Sequence, residues 1–478
     1  MASKNNALKN LKLKLDFNLK KIKTFVNATL SGNGKTQNPH NKIVLLSTFI
    51  ILTIGLYFFY VFHNDLEQFN VDRRSSTIGL TFVIIATLLF IYKIFLFIYT
   101  AYNFYKYKAI ESVSDNELPT CTVIVPAYNE GKQVYDTLMS LAQSNYPIEK
   151  LQLLSIDDGS KDDTWDWMQQ AKQTLGDRVE IFQQPENKGK RHALYRGFNL
   201  GSGEIFITVD SDSIVTEDTL RNLVSPFSKD EKCGAVAGNI RVLNNKKEIL
   251  PKMLDVSFVM SFEFVRSAES NLNSVLCTPG ALAAYRRSAV FNCLPEWINQ
   301  TFMGQPSDIG EDRAMTNMIL KQGQHVLFQK NAVAYTNVPE KYPGLYKMFI
   351  RWARSNVREN LAMAKYVFTD FREGSKLGSR LLFISQFLRI VMSYPFVIFM
   401  LFFVLTHPLL FLGSTLMSIL VASSFAVAFY AYRYELKESI WAYSYSILYT
   451  FALFWITPYA IATANKRGWL TRGLAEKN

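Results

Sequence analysis

Hydrophobic and polar positions divide this chain into three stretches with different periods. Two near-continuous apolar runs come first, residues 43–62 and 78–102, and Lys93 is the only charge in the second. Each is long enough to cross a hydrocarbon core of about 30 Å. They predict a transmembrane hairpin over residues 43–102, joined by a short loop near residues 63–76. Three further apolar runs, at about 381–406, 408–430 and 440–464, predict a C-terminal transmembrane region over 377–464. Arg389 and Pro395 interrupt the first of these, so its opening part is expected to lie in the interface or to re-enter.

Residues 115–345 carry no such run. Short apolar segments at 121–126, 151–156, 178–183 and 204–209 alternate with helical stretches near 127–144, 163–175 and 189–201. That alternation predicts a doubly wound α/β sheet, in which ligands bind beyond the carboxyl ends of the strands. Over residues 346–371 the period changes again, with Phe349, Trp352, Val357 and Leu361 interleaved with Arg351, Arg354 and Arg358. The pattern predicts an amphipathic helix where the soluble block meets the bilayer, within an interfacial segment 346–376.

Charge changes the picture through its placement. The formal net charge is +12, but the lysines and arginines gather in the N-terminal segment 1–42, after the second run, and in the tail 465–478. Basic residues at membrane ends mark the cytoplasmic side. The expectation is a multi-pass protein of the inner (plasma) membrane, with its soluble domain cytoplasmic, membrane lipid as a partner and no nucleic acid. A basic surface helix and a mobile tail fit the N-terminal segment equally. Five spans would carry the basic C-terminus to the opposite side, which is a conflict the sequence leaves open. The four cysteines form no CxxC pair, so neither a zinc site nor a disulfide framework is expected.

The candidate chemistry lies at the strand ends. Asp210-Ser211-Asp212 follows an apolar strand, and two carboxylates one residue apart can meet a hard divalent cation and the phosphates it bridges. Solvated loop acids are the alternative. Asp157-Asp158-Gly159-Ser160 is either a helix cap or a carboxylate pair facing a nucleobase imide or a ribose hydroxyl. Asn187 to Ala193 is a basic turn entering a helix, where Lys190 and Arg191 suit a diphosphate or form a surface charge cluster. Gly310-Glu311-Asp312-Arg313 supplies first-turn acids to a helix, or a general base oriented by Glu311 or Arg313. Arg351-Trp352 is an interfacial anchor, or an arginine at a leaving diphosphate beside a tryptophan on a sugar face.

Taken together and in this order, these motifs resemble the membrane-embedded family 2 glycosyltransferases, which include the hyaluronan, chitin, cellulose and poly-N-acetylglucosamine synthases. The resemblance covers residues 119–372 and the flanking spans. It implies a GT-A fold, a doubly wound mixed sheet, and inverting transfer from a UDP-sugar, first of all UDP-N-acetylglucosamine, to a glycan or a lipid-linked acceptor. By the same resemblance Pro126, Tyr128, Glu130, Asp157, Asp158, Lys190 and Arg191 hold the nucleotide, with Arg351 and Trp352 contacting it and the polymer end. Asp210 and Asp212 sit at a UDP-bound Mg2+ or Mn2+. Asp312 is the base, flanked by Glu311 and Arg313, and Cys277, Thr278, Pro279 and Gly280 lie near the acceptor. Gly310-Glu311-Asp312-Arg313 and Arg351-Trp352-Ala353-Arg354-Ser355 resemble the hyaluronan and chitin-oligosaccharide branch. One position departs: Met348 stands where that family's Q-x-x-R-W element has glutamine, a residue associated with processive synthesis.

Overall fold

The computed structural model describes residues 40–466. The N-terminal surface helix considered above and the motif at Gly468 to Arg472 lie outside the described residues. The soluble block contains β1 (Cys121–Ala127), β2 (Leu151–Asp157), β3 (Val179–Gln183), β4 (Ile205–Thr208), β5 (Ser213–Val215), β6 (Cys233–Val242) and β7 (Ala283–Arg286). After a separate two-stranded hairpin of β8 (Thr301–Phe302) and β9 (Gln305–Pro306) comes β10 (His325–Thr336). Eight of these strands form one mixed sheet in the order β3-β2-β1-β4-β7-β6-β10-β5. All four strands expected from the sequence are present.

Strands β3, β2, β1 and β4 are mutually parallel, whereas β7 runs antiparallel between β4 and β6. Every residue of β1 is buried, the pattern of a parallel strand covered on both faces. Pro126 is tolerated because the last β1–β4 pair is Ile124↔Thr208, so its missing N–H falls beyond that ladder. The carboxyl ends of β1, β2 and β4 therefore share one edge, and the loops carrying Tyr128, Asp158 and Asp210 leave from it.

Three helices, His40–Val61, Thr77–Lys106 and Pro408–Arg433, are long and apolar enough to cross a membrane. Two further pairs are bent by 46°: Leu377–Val391 with Ser393–Thr406, and Leu436–Ala452 with Ile456–Ala462. Pro395 falls in the first turn of its helix, where a missing N–H costs nothing. The short loop expected near residues 63–76 is instead a helix, His63–Ser75. It contains no glycine or proline, and Asp65 in its first turn and Arg73 and Arg74 in its last complement the helix dipole. Small residues let the helices His40–Val61 and Pro408–Arg433 close up: a Cβ on Gly55 would lie 2.5 Å from the Leu416 Cβ, and one on Gly413 3.0 Å from the Phe58 Cβ.

The last apolar run stays beside the soluble domain. Tyr342 donates to the Ala452 carbonyl at 2.8 Å, Trp455 packs on Tyr346, and Arg354 Nε donates to Thr463 Oγ1 at 3.1 Å. Arg433, ending Pro408–Arg433, pairs with Glu263 of the soluble domain at 2.6 Å. Both helices thus finish on the domain side. The amphipathic helix spans Tyr342–Ala364, and it turns Arg354 and Arg358 inward rather than to solvent.

Candidate active site

Lys190 is the first residue of the helix Lys190–Leu200, entered through Gly189 at φ 94°. Its Nζ lies 2.5 Å from Asp210 Oδ1, just past β4, and 3.1 Å from Glu311 Oε1. Glu311 opens the helix Glu311–Lys321, preceded by Gly310 in the left-handed region at φ 78°. No side chain fits at Gly310, because a Cβ would lie 2.0 Å from Ser355 Oγ. Asp312 Oδ2 accepts from the Gly280 N–H at 3.1 Å. A Cβ on Gly280 would lie 2.4 Å from Lys190 Nζ, 3.6 Å from Asp210 Oδ1 and 3.7 Å from Glu311 Oε1. The backbone at Gly280 is therefore one wall of a half-buried cluster in which Asp210 and Glu311 pair with the Lys190 ammonium and Asp312 lies beside them.

The adjacent acids are driven apart. Burial pushes Glu311 up, but Lys190, the backbone at its own helix start and Arg351 outweigh burial and leave it below the usual carboxylate range. Asp312 is raised by burial and by the charge of Glu311, against Lys190 and the N–H groups of Arg313 and Gly280. Two such groups with separated proton affinities are suited to different roles. Burial lowers the proton affinity of Lys190, but Asp210 and Glu311 outweigh it and hold the ammonium charged.

The loops after β1 and β2 are tied together: the Asn129 N–H donates to Ser160 Oγ, and the Lys161 N–H to Asn129 Oδ1. The Glu130 N–H donates to Thr164 Oγ1. Asp157 accepts from the Ser160 N–H and hydroxyl and from Gln183 Nε2. Asp158 accepts from Gln184 Nε2 and from the N–H groups of Lys188 and Gly189, and so shapes the turn that delivers Lys190. Burial pushes its pKa up to about 6. Arg191 points away from the cluster, donating to the Trp297 carbonyl and to Gln300. Arg313 likewise leaves it and donates to Gln386 of Leu377–Val391. Asp212 accepts from Thr336 Oγ1 at 3.2 Å.

Thr278 is wholly buried, its hydroxyl on Tyr285 and Thr316, while burial pushes the Cys277 thiol up to about 12. The Pro279 carbonyl accepts from the Leu282 N–H and closes the turn that carries Gly280. Trp352 is 40% exposed, edge-on to Phe349. Two supports escaped the sequence reading. Trp297 Nε1 donates to the Glu311 carbonyl at 2.8 Å, and nothing in the local pattern marks that residue. Gln386 carried a usable signal, being a polar side chain within an apolar run.

Among the described residues no three His, Cys, Asp or Glu side chains gather into a metal cage. Asp210 and Asp212 do offer hard oxygen donors of the kind that serve Mg2+ or Mn2+ when phosphate oxygens complete the shell. Asp210 already faces a cation, the Lys190 ammonium, so its environment accommodates positive charge.

A family model described as "Glycosyltransferase like family 2" matches residues 119–355. An N-acetylglucosaminyltransferase of Mesorhizobium japonicum is 31% identical over 295 residues, 61% of this chain and 68% of that protein. A hyaluronan synthase of Streptococcus pyogenes is 30% identical over 305 residues, 62% and 68% of the two chains. This chain is a family 2 glycosyltransferase. An N-acetylglucosaminyltransferase of Rhizobium meliloti is 34% identical over 252 residues, 52% of this chain and 59% of that one. Among solved structures, a mannosyltransferase from Pyrobaculum calidifontis, in complex with GDP-Man and Mn2+, aligns with TM-score 0.50 and 22% identity. That alignment covers 78% of this chain and 97% of the other, and it shows the GT-A fold. The glycosyltransferase domain is accordingly joined to several helices able to span a membrane.

Proposed function

We propose that this glycosyltransferase moves N-acetylglucosamine from UDP-N-acetylglucosamine to a β-linked glycan at the membrane, inverting the anomeric centre as hyaluronan- and chitin-type synthases do. The observation that carries the reading is the cluster of Lys190, Asp210, Glu311 and Asp312 against the Gly280 backbone. Asp312, held at a raised proton affinity, takes the proton of the acceptor hydroxyl as the oxygen attacks the anomeric carbon and UDP leaves. Glu311 stays ionised beside it and fixes Lys190.

Asp210 and Asp212 would hold Mg2+ or Mn2+ with the diphosphate, where the ion offsets charge on the leaving group. Pro126, Tyr128, Glu130 and the Asp157–Asp158 loop form the nucleoside side, with Asp158 fixing the turn before Lys190. Arg191 acts through Trp297, which meets the Glu311 carbonyl. Arg351 serves the diphosphate and Trp352 a sugar face. Cys277, Thr278, Pro279 and Gly280 border the acceptor. The domain stands on the cytoplasmic face of the inner membrane, because the basic segments flank the helices that end beside it.

A second reading, in which the acceptor is lipid-linked, is favoured by Met348. It is packed into the core at 6% exposure where the family's glutamine would stand. The test is UDP release by the purified full-length protein with Mn2+ or Mg2+ across a panel of UDP-sugars, beside Asp312→Asn. Release with UDP-N-acetylglucosamine, lost in the variant, supports the proposal; release with another sugar alone overturns the donor. No release with any sugar overturns the transferase reading.

A further inference from the structure

Between the helices Ser393–Thr406, Pro408–Arg433 and Trp441–Ala452 lies a cavity of about 480 Å³. Phe396, Phe399, Phe403 and Phe411 are among its lining residues. The serines that also line it have their hydroxyls engaged: Ser414 donates to the Phe411 carbonyl, Ser418 to the Ser414 carbonyl and Ser423 to Ser446 Oγ. A sugar would find few free partners among them, whereas a hydrocarbon chain needs none.

A chain of ring contacts leads from the cavity wall to the amphipathic helix Tyr342–Ala364. Tyr449 in its wall packs on Phe349, and Phe349 on Trp352. Two cations stand nearby. Arg389 lies in the last turn of the helix Leu377–Val391, and Lys93 follows Tyr92, whose hydroxyl donates to the Leu381 carbonyl of the same helix. Neither Lys93 nor Arg389 has an ion pair or hydrogen bond among the described residues. Both are exposed on the apolar helices, where two neighbouring like charges favour an anion between them. Arg389 is also one turn from Gln386, the residue that holds Arg313 beside Asp312.

We propose that this cavity seats the hydrocarbon chain of a lipid-phosphate-linked sugar acceptor, with its phosphate on Arg389 and Lys93 and its sugar reaching Trp352. The inference rests on the transferase reading above and names its acceptor class. A glycan would then be begun on lipid.

Full-length protein in phosphatidylcholine nanodiscs is assayed with two acceptors, octadecyl-phosphate-linked N-acetylglucosamine and its methyl glycoside. The expected KM is at least about tenfold lower for the lipid acceptor. Ala422→Trp, which fills the cavity, and Arg389→Gln bring the ratio of the two KM values toward one. Arg389→Lys restores it, and Val421→Trp, outside the lining, leaves it alone. In parallel, octadecyl phosphate with a diazirine in its chain labels the helices Ser393–Thr406 and Pro408–Arg433, and excess unlabelled octadecyl phosphate competes. A KM ratio near one in the native enzyme, or labelling of those helices that excess octadecyl phosphate does not reduce, overturns the proposal. If no donor gives UDP release, the transferase reading fails, while the labelling still decides the lipid site.

Discussion

At the scale of single residues the site turns on how Asp312 is protonated. Its raised proton affinity means that acid removes the base form earlier than for an ordinary aspartate, whose pKa is about 3.9. As the proposed base, Asp312 works only when ionised, so activity is present above the folded pKa and lost as pH falls through it. The acid limb of kcat/KM should therefore lie above the ordinary aspartate range. Glu311→Gln removes one cause of the elevation and should move that limb to lower pH; a limb that moves upward would contradict the assignment. Asp312→Asn should cost roughly 10²–10⁴ in kcat and abolish the limb. At Gly280 the close approach is to the flexible end of Lys190, so Gly280→Ala should fold normally yet displace the ammonium. The expected result is a loss of about tenfold or more in kcat/KM with an unchanged melting temperature. Motif residues such as Asp210 and Asp312 were legible because strand ends and helix starts announce themselves. Arg191 was not, because the next residue on a helix points about 100° away from Lys190.

Among the elements, the helix Glu311–Lys321, which carries the proposed base, is held from three directions. Gly310 supplies the left-handed entry, Trp297 meets the Glu311 carbonyl, and Gln386 meets Arg313 from an apolar helix. Gln386→Leu should leave the largely buried Arg313 guanidinium without that acceptor, a cost of about 1–3 kcal/mol. A lowered melting temperature with reduced kcat and little change in donor KM would fit that account; an unchanged kcat would mean the tie is only structural. The parallel strands could be read from the chain because each is a short, continuous apolar run. The antiparallel insertion of β7 could not, since its Ala283–Arg286 is short and its partners lie far off in sequence. Residues 63–76 misled in the other direction, where polarity suggested a loop although nothing there breaks a helix.

For the whole molecule the question is which side each end occupies. Five spans would carry the basic tail away from the domain, whereas the packing brings residue 463 back to Arg354 and leaves His407 at the far turn, against Phe69. Arg241 and Tyr430 on Asp255, with Arg433 on Glu263, bind the domain to the helix Pro408–Arg433 and fix that arrangement. Sequence composition found the apolar runs but could not tell a crossing helix from one lying along the domain, because both bury apolar surface. The prediction is that single cysteines at Ser114 and Lys466, in a background without the native four, label from the same face in sealed membrane vesicles. A cysteine at His407 labels from the opposite face. Labelling of Lys466 together with His407 would mean that the pair Leu436–Ala452 and Ile456–Ala462 crosses after all. The basic tail would then stand opposite the domain, and the even number of crossings inferred from the contacts at Thr463 would be wrong.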